Sequence, residues 1–303
     1  MVDLAQELAV RTALFGHLDA RRAWSADGLL TWQETAAFDF GGETYAMRQT
    51  RGRGIHKPRQ LAAALSITTA FTPYGADPPY ADSIGEDGYP RYKYEGTDPR
   101  LPANRALRAA GDHALPLAYF VGVRPAVYDA VYPVYVVGED PAAHEFTLGF
   151  SRGDVGLDTT ALSAPERVYA ARLTKQRLHQ PVFRQRVLHA YRSRCTVCRL
   201  RHADLLDAAH IIGDAEEGGD PVLPNGLAMC KIHHAAFDSN ILGITPEMVV
   251  EISQSLLDEI DGPMLRHGLQ EMHGVGLELP RRRPDHPDRE RLARRYETFR
   301  LAS

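Results

Sequence analysis

The spacing of apolar residues changes twice along the chain. Residues 1–24 read as an amphipathic helix. Acids come early there, and no long apolar core precedes a small-residue cleavage site, so the segment does not read as a signal peptide. Between about 28 and 150 the apolar runs are short and cut by Gly and Pro. PLAYFVGV and YDAVYPVYVVG are rich in Val and Tyr, are bounded by turn residues, and predict strands. LAAALSI predicts a short helix or a buried segment. TPYGADPPYADSIGEDGYPRYKYEG is a long, polar, aromatic-rich loop, a type that usually carries function. This half predicts an α+β domain with a curved sheet or small barrel.

A Gly-, Asp- and Ser-rich stretch near 151–165 marks a boundary. Helical periodicity then returns in PERVYAARLTKQRLHQPVFRQRVLHAY, with Pro181 predicted to break it and start a new helix. Beyond Tyr191 come a cysteine knuckle, a strand-like LLDAAHII, an acidic Gly-rich loop and a helix from about Leu227 to Asp238. We divide the chain into a domain at 1–155, a basic helical linker at 156–180 and a second domain at 181–303.

Composition narrows the class. With 303 residues, 44% hydrophobic and 24% charged, the chain suits about two soluble domains. No run nears the ~18 apolar residues of a membrane span, and a cytoplasmic location is expected. The net charge of −4 argues against a nucleic-acid binder that is basic all over. Its distribution says more: ten Lys or Arg and no acid lie between Arg167 and Arg201. A second basic island is RQTRGRGIHKPR, residues 48–59. Such segregation suits a basic groove on a neutral protein.

Three cysteines, Cys195, Cys198 and Cys230, argue against a disulfide framework. Cys195-x-x-Cys198 and Cys230-x-x-His233 form two half-sites whose spacing matches a closed tetrahedral Zn²⁺ site. A closed site of that kind supplies folding energy on the order of 10 kcal/mol.

The words in order are Cys195-x-x-Cys198, Leu205-Leu206-Asp207-Ala208-Ala209-His210-Ile211, Asn225-Gly226-Leu227 and Cys230-x-x-His233-His234-x-x-x-Asp238. This constellation resembles the HNH nucleases, whose ββα-metal motif is two strands and a helix around one divalent cation. The resemblance implies a phosphodiester hydrolase with His210 as general base, Asn225 orienting that base and fixing the loop, and His234 as a metal ligand. Neutral His can take a proton from water near pH 7, and the cation stabilises charge on the leaving group. Many members carry a ligand directly before the catalytic His, where this chain has Ala209. Alternate strand residues share a face, so Asp207 is expected to supply that ligand. Asp238, one helical turn after His234, is the third expected ligand. His plus carboxylate suits Mg²⁺, Mn²⁺, Co²⁺ or Ni²⁺ without a choice among them.

The first half carries Arg53-Gly54-Ile55-His56-Lys57-Pro58, Pro79-Tyr80-Ala81-Asp82, Tyr92-Lys93-Tyr94, Asn104-Arg105 and Pro116-Leu117-x-Tyr119-Phe120-x-Gly122. It resembles the SRA/PUA-like domain joined to an HNH domain in bacterial modification-dependent restriction endonucleases. That implies recognition of 5-methylcytosine or 5-hydroxymethylcytosine by base flipping, a task needing aromatic faces and a polar group for the base edge. Tyr80, Asp82, Tyr92 and Tyr94 are the expected pocket. Arg51, Arg53, His56, Lys57, Arg59, Asn104 and Arg105 are the expected DNA contacts. The partner is then double-stranded DNA, and a double-strand break needs a homodimer or two sequential nicks. Two other readings stay open: an HNH endonuclease reading unmodified sequence, and a catalytically silent zinc-stabilised DNA-binding module.

Overall fold

The computed structural model describes residues 3–25, 27–49, 54–72, 84–214 and 216–302. They form two compact units, Met1–Val182 and Phe183–Ser303.

The first unit opens with α1 (Leu4–Trp24), capped by Asp3, whose carboxylate accepts from the backbone N–H groups of Ala5 and Gln6. Val10, Leu14 and Leu18 are fully buried along one face. On the same face Glu7 and Arg11 form a buried ion pair one turn apart. Glu7 accepts from the N–H of Ala62 at 2.7 Å and of Ala63 at 3.2 Å, and Arg11 donates to Ala64 O at 2.6 Å. These bonds fasten residues 62–64 to the helix. The segment predicted as a short helix or buried stretch is therefore a buried turn feeding a strand.

The strands follow as β1 (Leu30–Thr31), β2 (Ala37–Phe40), β3 (Glu43–Ala46), β4 (Ile55–His56), β5 (Ser66–Thr69) and β6 (Arg91–Lys93). After α2 (Pro102–Asp112) come β7 (Leu117–Arg124), β8 (Val127–Asp140) and β9 (Glu145–Gly149). One sheet has the order β4-β5-β7-β8-β9-β6, with β1 added to β8. The 14-residue β8 pairs with β7 through Val134 and with β9 from Tyr135 onward, with an irregularity between Val136 and Gly138. One long strand thus serves two halves of a curled, half-barrel sheet. The Tyr92 hydroxyl on β6 donates to Thr68 O on β5 at 3.1 Å, so strands remote in sheet order meet. The α+β class predicted for this half holds.

The chain is helical from Ala164 to Ala190: α3 (Ala164–Thr174), a π-helical stretch Lys175–His179, then α4 (Gln180–Ala190). Pro181 does not break the helix as predicted. Proline lacks an N–H and crowds the carbonyl four residues back; the wider π turn immediately before it accommodates both.

In the second unit, β10 (Leu206–His210) and β11 (Gly226–Cys230) form an antiparallel hairpin from Leu206↔Cys230 to His210↔Gly226. Then come α5 (Lys231–Asp238), a second hairpin of β12 (Leu242–Ile244) and β13 (Val250–Ile252), α6 (Gln254–Leu257), α7 (Pro263–Gly268) and α8 (Arg289–Ala302). The helix expected from Leu227 starts only at Lys231. GLAMC is wholly buried and finds its backbone partners in β10 instead. Val187, Leu206, Leu227, Phe237, Leu242, Val250 and Leu292 share one core.

No helix among the described residues is long and apolar enough to cross a membrane.

Candidate functional site

Ser193 and Arg199, in the left-handed backbone region, flank a tight knuckle. Within it Cys195 N–H donates to Leu200 O, and Arg199 N–H to Cys195 O, both at 3.0 Å. This turns Cys195 and Cys198 toward Cys230 at the end of β11 and His233 in the first turn of α5. The four ligand atoms lie within 4.8 Å of one another, and no other such group of three or more His, Cys, Asp or Glu occurs among the described residues. Cys198 and Cys230 sulfurs are 4.0 Å apart, and His233 Nδ1 is 3.5 Å from Cys195 Sγ and 3.1 Å from Cys230 Sγ. Those separations approach the edges of a tetrahedron with bonds of about 2.0–2.3 Å. His233 Nε2 faces Gly268 O at 2.8 Å, which fixes the ring and leaves Nδ1 for a metal. Burial acts to lower the His233 pKa, but the Cys195 and Cys230 sulfurs outweigh it and raise it to about 10. Among the thiols, hydrogen bonds from Cys198 and Cys230 hold Cys195 well below the usual thiol range. The donor set fits Zn²⁺.

The hairpin beside this cluster is pinned by Asn225. Fully buried, its side chain accepts from Ile212 N–H at 2.9 Å and donates to Ile212 O and Asp220 O at 3.0 and 3.1 Å. Its backbone carbonyl accepts from Ile211 N–H at 2.9 Å. Asn225 thus fixes the strand end that bears His210. The His210 ring lies against Phe183 of α4, centroids 4.1 Å apart and planes 19° from parallel. Opposite His210, Gly226 leaves the room this needs: a Cβ there would sit 2.4 Å from Val187 and 3.0 Å from Phe183.

Asp207, expected to share a strand face with Ala209, reaches α5. Its Oδ2 lies 3.7 Å from His234 Nδ1 and accepts from Lys231 Nζ at 3.3 Å, and Arg184 Nε lies 3.9 Å from Oδ1. Asp238 approaches the other edge of the same ring, 3.4 Å from His234 Nε2. The two lone-pair directions of an imidazole diverge, so one ion cannot sit on both. Asp207, His234 and Asp238 therefore form a carboxylate–imidazole–carboxylate row, not the three-ligand set expected for one ion. Phe183, Arg184, Lys231 and Gly226 were not singled out from sequence. Only Gly226, next to Asn225, carried a local signal.

Residues 195–245 match the family model for the HNH endonuclease. This segment is an HNH endonuclease domain. The chain thus carries the catalytic module of a metal-dependent DNA endonuclease. One similar solved structure is described as "Modification dependent TagI restriction endonuclease"; it is 18% identical, with 82% of this chain and 85% of that chain covered and a TM-score of 0.29. No curated protein matches the chain.

Outside the HNH domain, several expected DNA contacts take interior positions. Asn104 is fully buried and clamps the Glu95–Asp98 turn: it accepts from Glu95 N–H and donates to Glu95 O and Asp98 O. It has no surface to offer DNA. His56 is buried with Nε2 on Ala46 O at 3.0 Å, and burial holds its pKa below the usual histidine value. Tyr94 packs on Phe146 and donates to Glu139, which also pairs with Arg108. Tyr92 packs edge-on against Tyr119. Both rings are buried by these contacts, and both border the small cavity beside Gly54 and Thr68. Sequence reasoning missed this because all four are polar or amphipathic types placed inside by tertiary contacts. Lys57, Arg59 and Arg105 are exposed. Arg51, Arg53, Tyr80 and Asp82 lie outside the described residues. Gly54, Thr68, Thr69 and Tyr92 line a cavity of about 10 Å³, room for roughly one water. The basic run also divides: Arg186 is half-buried with its pKa lowered by burial, Arg184 donates to Leu206 O at 2.7 Å, and Arg192 and Arg199 share Glu278.

Proposed function

We propose that the chain is a modification-dependent DNA endonuclease: the first unit selects DNA bearing 5-methylcytosine or 5-hydroxymethylcytosine, and the HNH domain hydrolyses a phosphodiester nearby. The observation that carries the nuclease half is the hairpin that presents His210, fixed by Asn225, beside a helix whose His234 stands between two carboxylates.

In the reading we favour, His210 takes a proton from the attacking water. The new P–O bond forms as the bond to the leaving sugar oxygen breaks; that oxygen takes a proton from a solvent water, and His210 later returns its proton to solvent. His234 Nδ1 and Asp207 would hold the divalent ion, which would supply charge neutralisation at the phosphate and the leaving oxygen. Asp238 fixes the His234 ring through Nε2, the usual arrangement of a carboxylate behind a metal-binding histidine. Lys231 and Arg184 flank the Asp207 carboxylate, at 3.3 and 3.9 Å. The cysteines and His233 hold a structural Zn²⁺.

For the first unit, support comes from the resemblance of its sequence to SRA/PUA-like domains and from the curled sheet. The residues left for a base pocket are Tyr80 and Asp82, with Arg51 and Arg53 as further DNA contacts. Tyr80 would stack and Asp82 would accept from the cytosine amine. Lys57, Arg59 and Arg105 are exposed cations for phosphates.

The test uses the His210→Gln chain, which binds without cutting, and matched 30-base-pair duplexes carrying cytosine, 5-methylcytosine or 5-hydroxymethylcytosine. At equal salt we expect at least tenfold tighter binding to one modified duplex, a difference of about 1.4 kcal/mol. Asp82→Ala should remove that preference and leave the sequence-blind affinity. Equal affinity for all three duplexes sinks the selective role of the first unit.

A further inference from the structure

The segment after Glu278 has no role in the site above. Between Pro280 and the C-terminus the sequence holds eight arginines (281, 282, 283, 289, 291, 294, 295, 300) against four acids (285, 288, 290, 297). Three of these arginines have structural work or neighbours in the second unit. Arg291 lies 3.6 Å from Asp220, and Arg294 lies 3.1 Å from Glu216 and donates to Glu217 O. Arg295 donates to Asn240 and Phe237 O and stacks over the Phe237 ring. Arg291 and Arg294 thus engage the acidic loop that links β10 to β11.

Arg281, Arg282 and Arg283 differ. All three are exposed. Arg282 lies 4.0 Å from Asp285, and among the described residues no carboxylate is within ion-pair distance of Arg281 or Arg283. Of the acids nearest in sequence, Glu278 is shared by Arg192 and Arg199, and Asp285 is buried with Arg282 as its ion-pair neighbour.

The three arginines stand on a firmly held backbone. A 3-10 turn spans Arg283–Asp285, and His286 Nε2 lies 2.9 Å from Pro280 O, closing the segment on itself. Asp288 N–H donates to Pro224 O at 2.9 Å. Pro224 precedes Asn225, whose carbonyl holds Ile211, the neighbour of His210. A short chain of backbone bonds therefore links the arginine triplet to the general base.

Resting on the endonuclease reading, we infer that Arg281, Arg282 and Arg283 form a phosphate clamp that seats the duplex backbone on the second unit. Two exposed guanidinium groups without a described carboxylate partner, Arg281 and Arg283, flank Arg282, whose partner Asp285 lies at the 4.0 Å limit; on a fixed turn such groups suit phosphate oxygens, which Arg can bind in bidentate fashion. Such contacts release counterions and carry no base information. The partner is the sugar-phosphate backbone, modified or not.

The experiment is fluorescence anisotropy of labelled duplex DNA with the full chain in its His210→Gln form, over a range of salt. For R281A/R282A/R283A we expect the slope of log K against log salt to fall by about 2 to 3, near 0.9 per lost phosphate contact. The loss should be equal for unmodified and modified duplexes. R281K/R282K/R283K should retain most of the wild-type slope, because charge sets that quantity. R281E alone covers the case in which the triple alanine chain fails to fold, and should lower the slope by about 1 or more. A slope unchanged in R281E and the triple variant, with DNA still bound, overturns the clamp and leaves the nuclease reading intact. Failure of the parent chain to bind DNA at any salt overturns the reading beneath it, and the clamp with it.

Discussion

His210→Gln should lower the rate of DNA cleavage by about 10² to 10⁴-fold at saturating metal, the range for loss of a general base. Glutamine fills similar space against Phe183 and cannot accept the proton from water. The ring it replaces is stacked at 4.1 Å and sits on a strand end held by Asn225, so packing should survive the change better than with alanine. DNA affinity, measured in the same samples, should stay at the parent value, because the interaction removed acts in the transition state. A single-turnover rate within threefold of the parent would remove His210 from the chemistry.

Stripping Zn²⁺ should have a comparably large effect on the fold of the second unit. The Cys195, Cys198, Cys230 and His233 ligand atoms converge within 4.8 Å and join the knuckle to the start of α5. Site formation in small zinc domains contributes on the order of 10 kcal/mol, comparable with the whole net stability of a domain. Without the ion, several thiols and an imidazole crowd one pocket, and the attraction that gathered them is lost. Treatment with a strong chelator, or Cys230→Ser, should remove hydrogen-exchange protection from Leu206–Asp238. Protection in β7 and β8 of the first unit should persist. Metal analysis should give one zinc per untreated chain. Undiminished protection in β10 and β11 after complete chelation would show that the apolar core around Val187, Leu227 and Val250 holds the unit alone.

The site was legible in sequence where its geometry is local. The knuckle, the hairpin and the first turn of α5 bring four zinc donors together over short separations, and two half-sites encode that directly. Period-two alternation sufficed to connect Asp207 with the α5 side of the hairpin, where Ala209 has nothing to offer. What failed depends on tertiary placement. Asn104 and His56 look like DNA contacts as residue types, yet one closes a turn and the other caps a carbonyl inside the first unit. Tyr92 and Tyr94 look like stacking platforms, yet the curl of the sheet turns both inward. Leu227–Cys230 reads as helix because its apolar run is as compatible with one state as the other; pairing with β10 decides it. The direction of Asp238 was also out of reach. Helical spacing places it one turn from His234, but not on which edge of the ring it lands.

The central claim is that this HNH endonuclease acts on modified DNA. Its most direct test is cleavage of one plasmid prepared with cytosine, 5-methylcytosine or 5-hydroxymethylcytosine, with Mg²⁺ or Mn²⁺, by the parent chain and His210→Gln. Cutting of modified plasmid alone, lost in the variant, is the predicted result. Equal cutting of all three plasmids would contradict it.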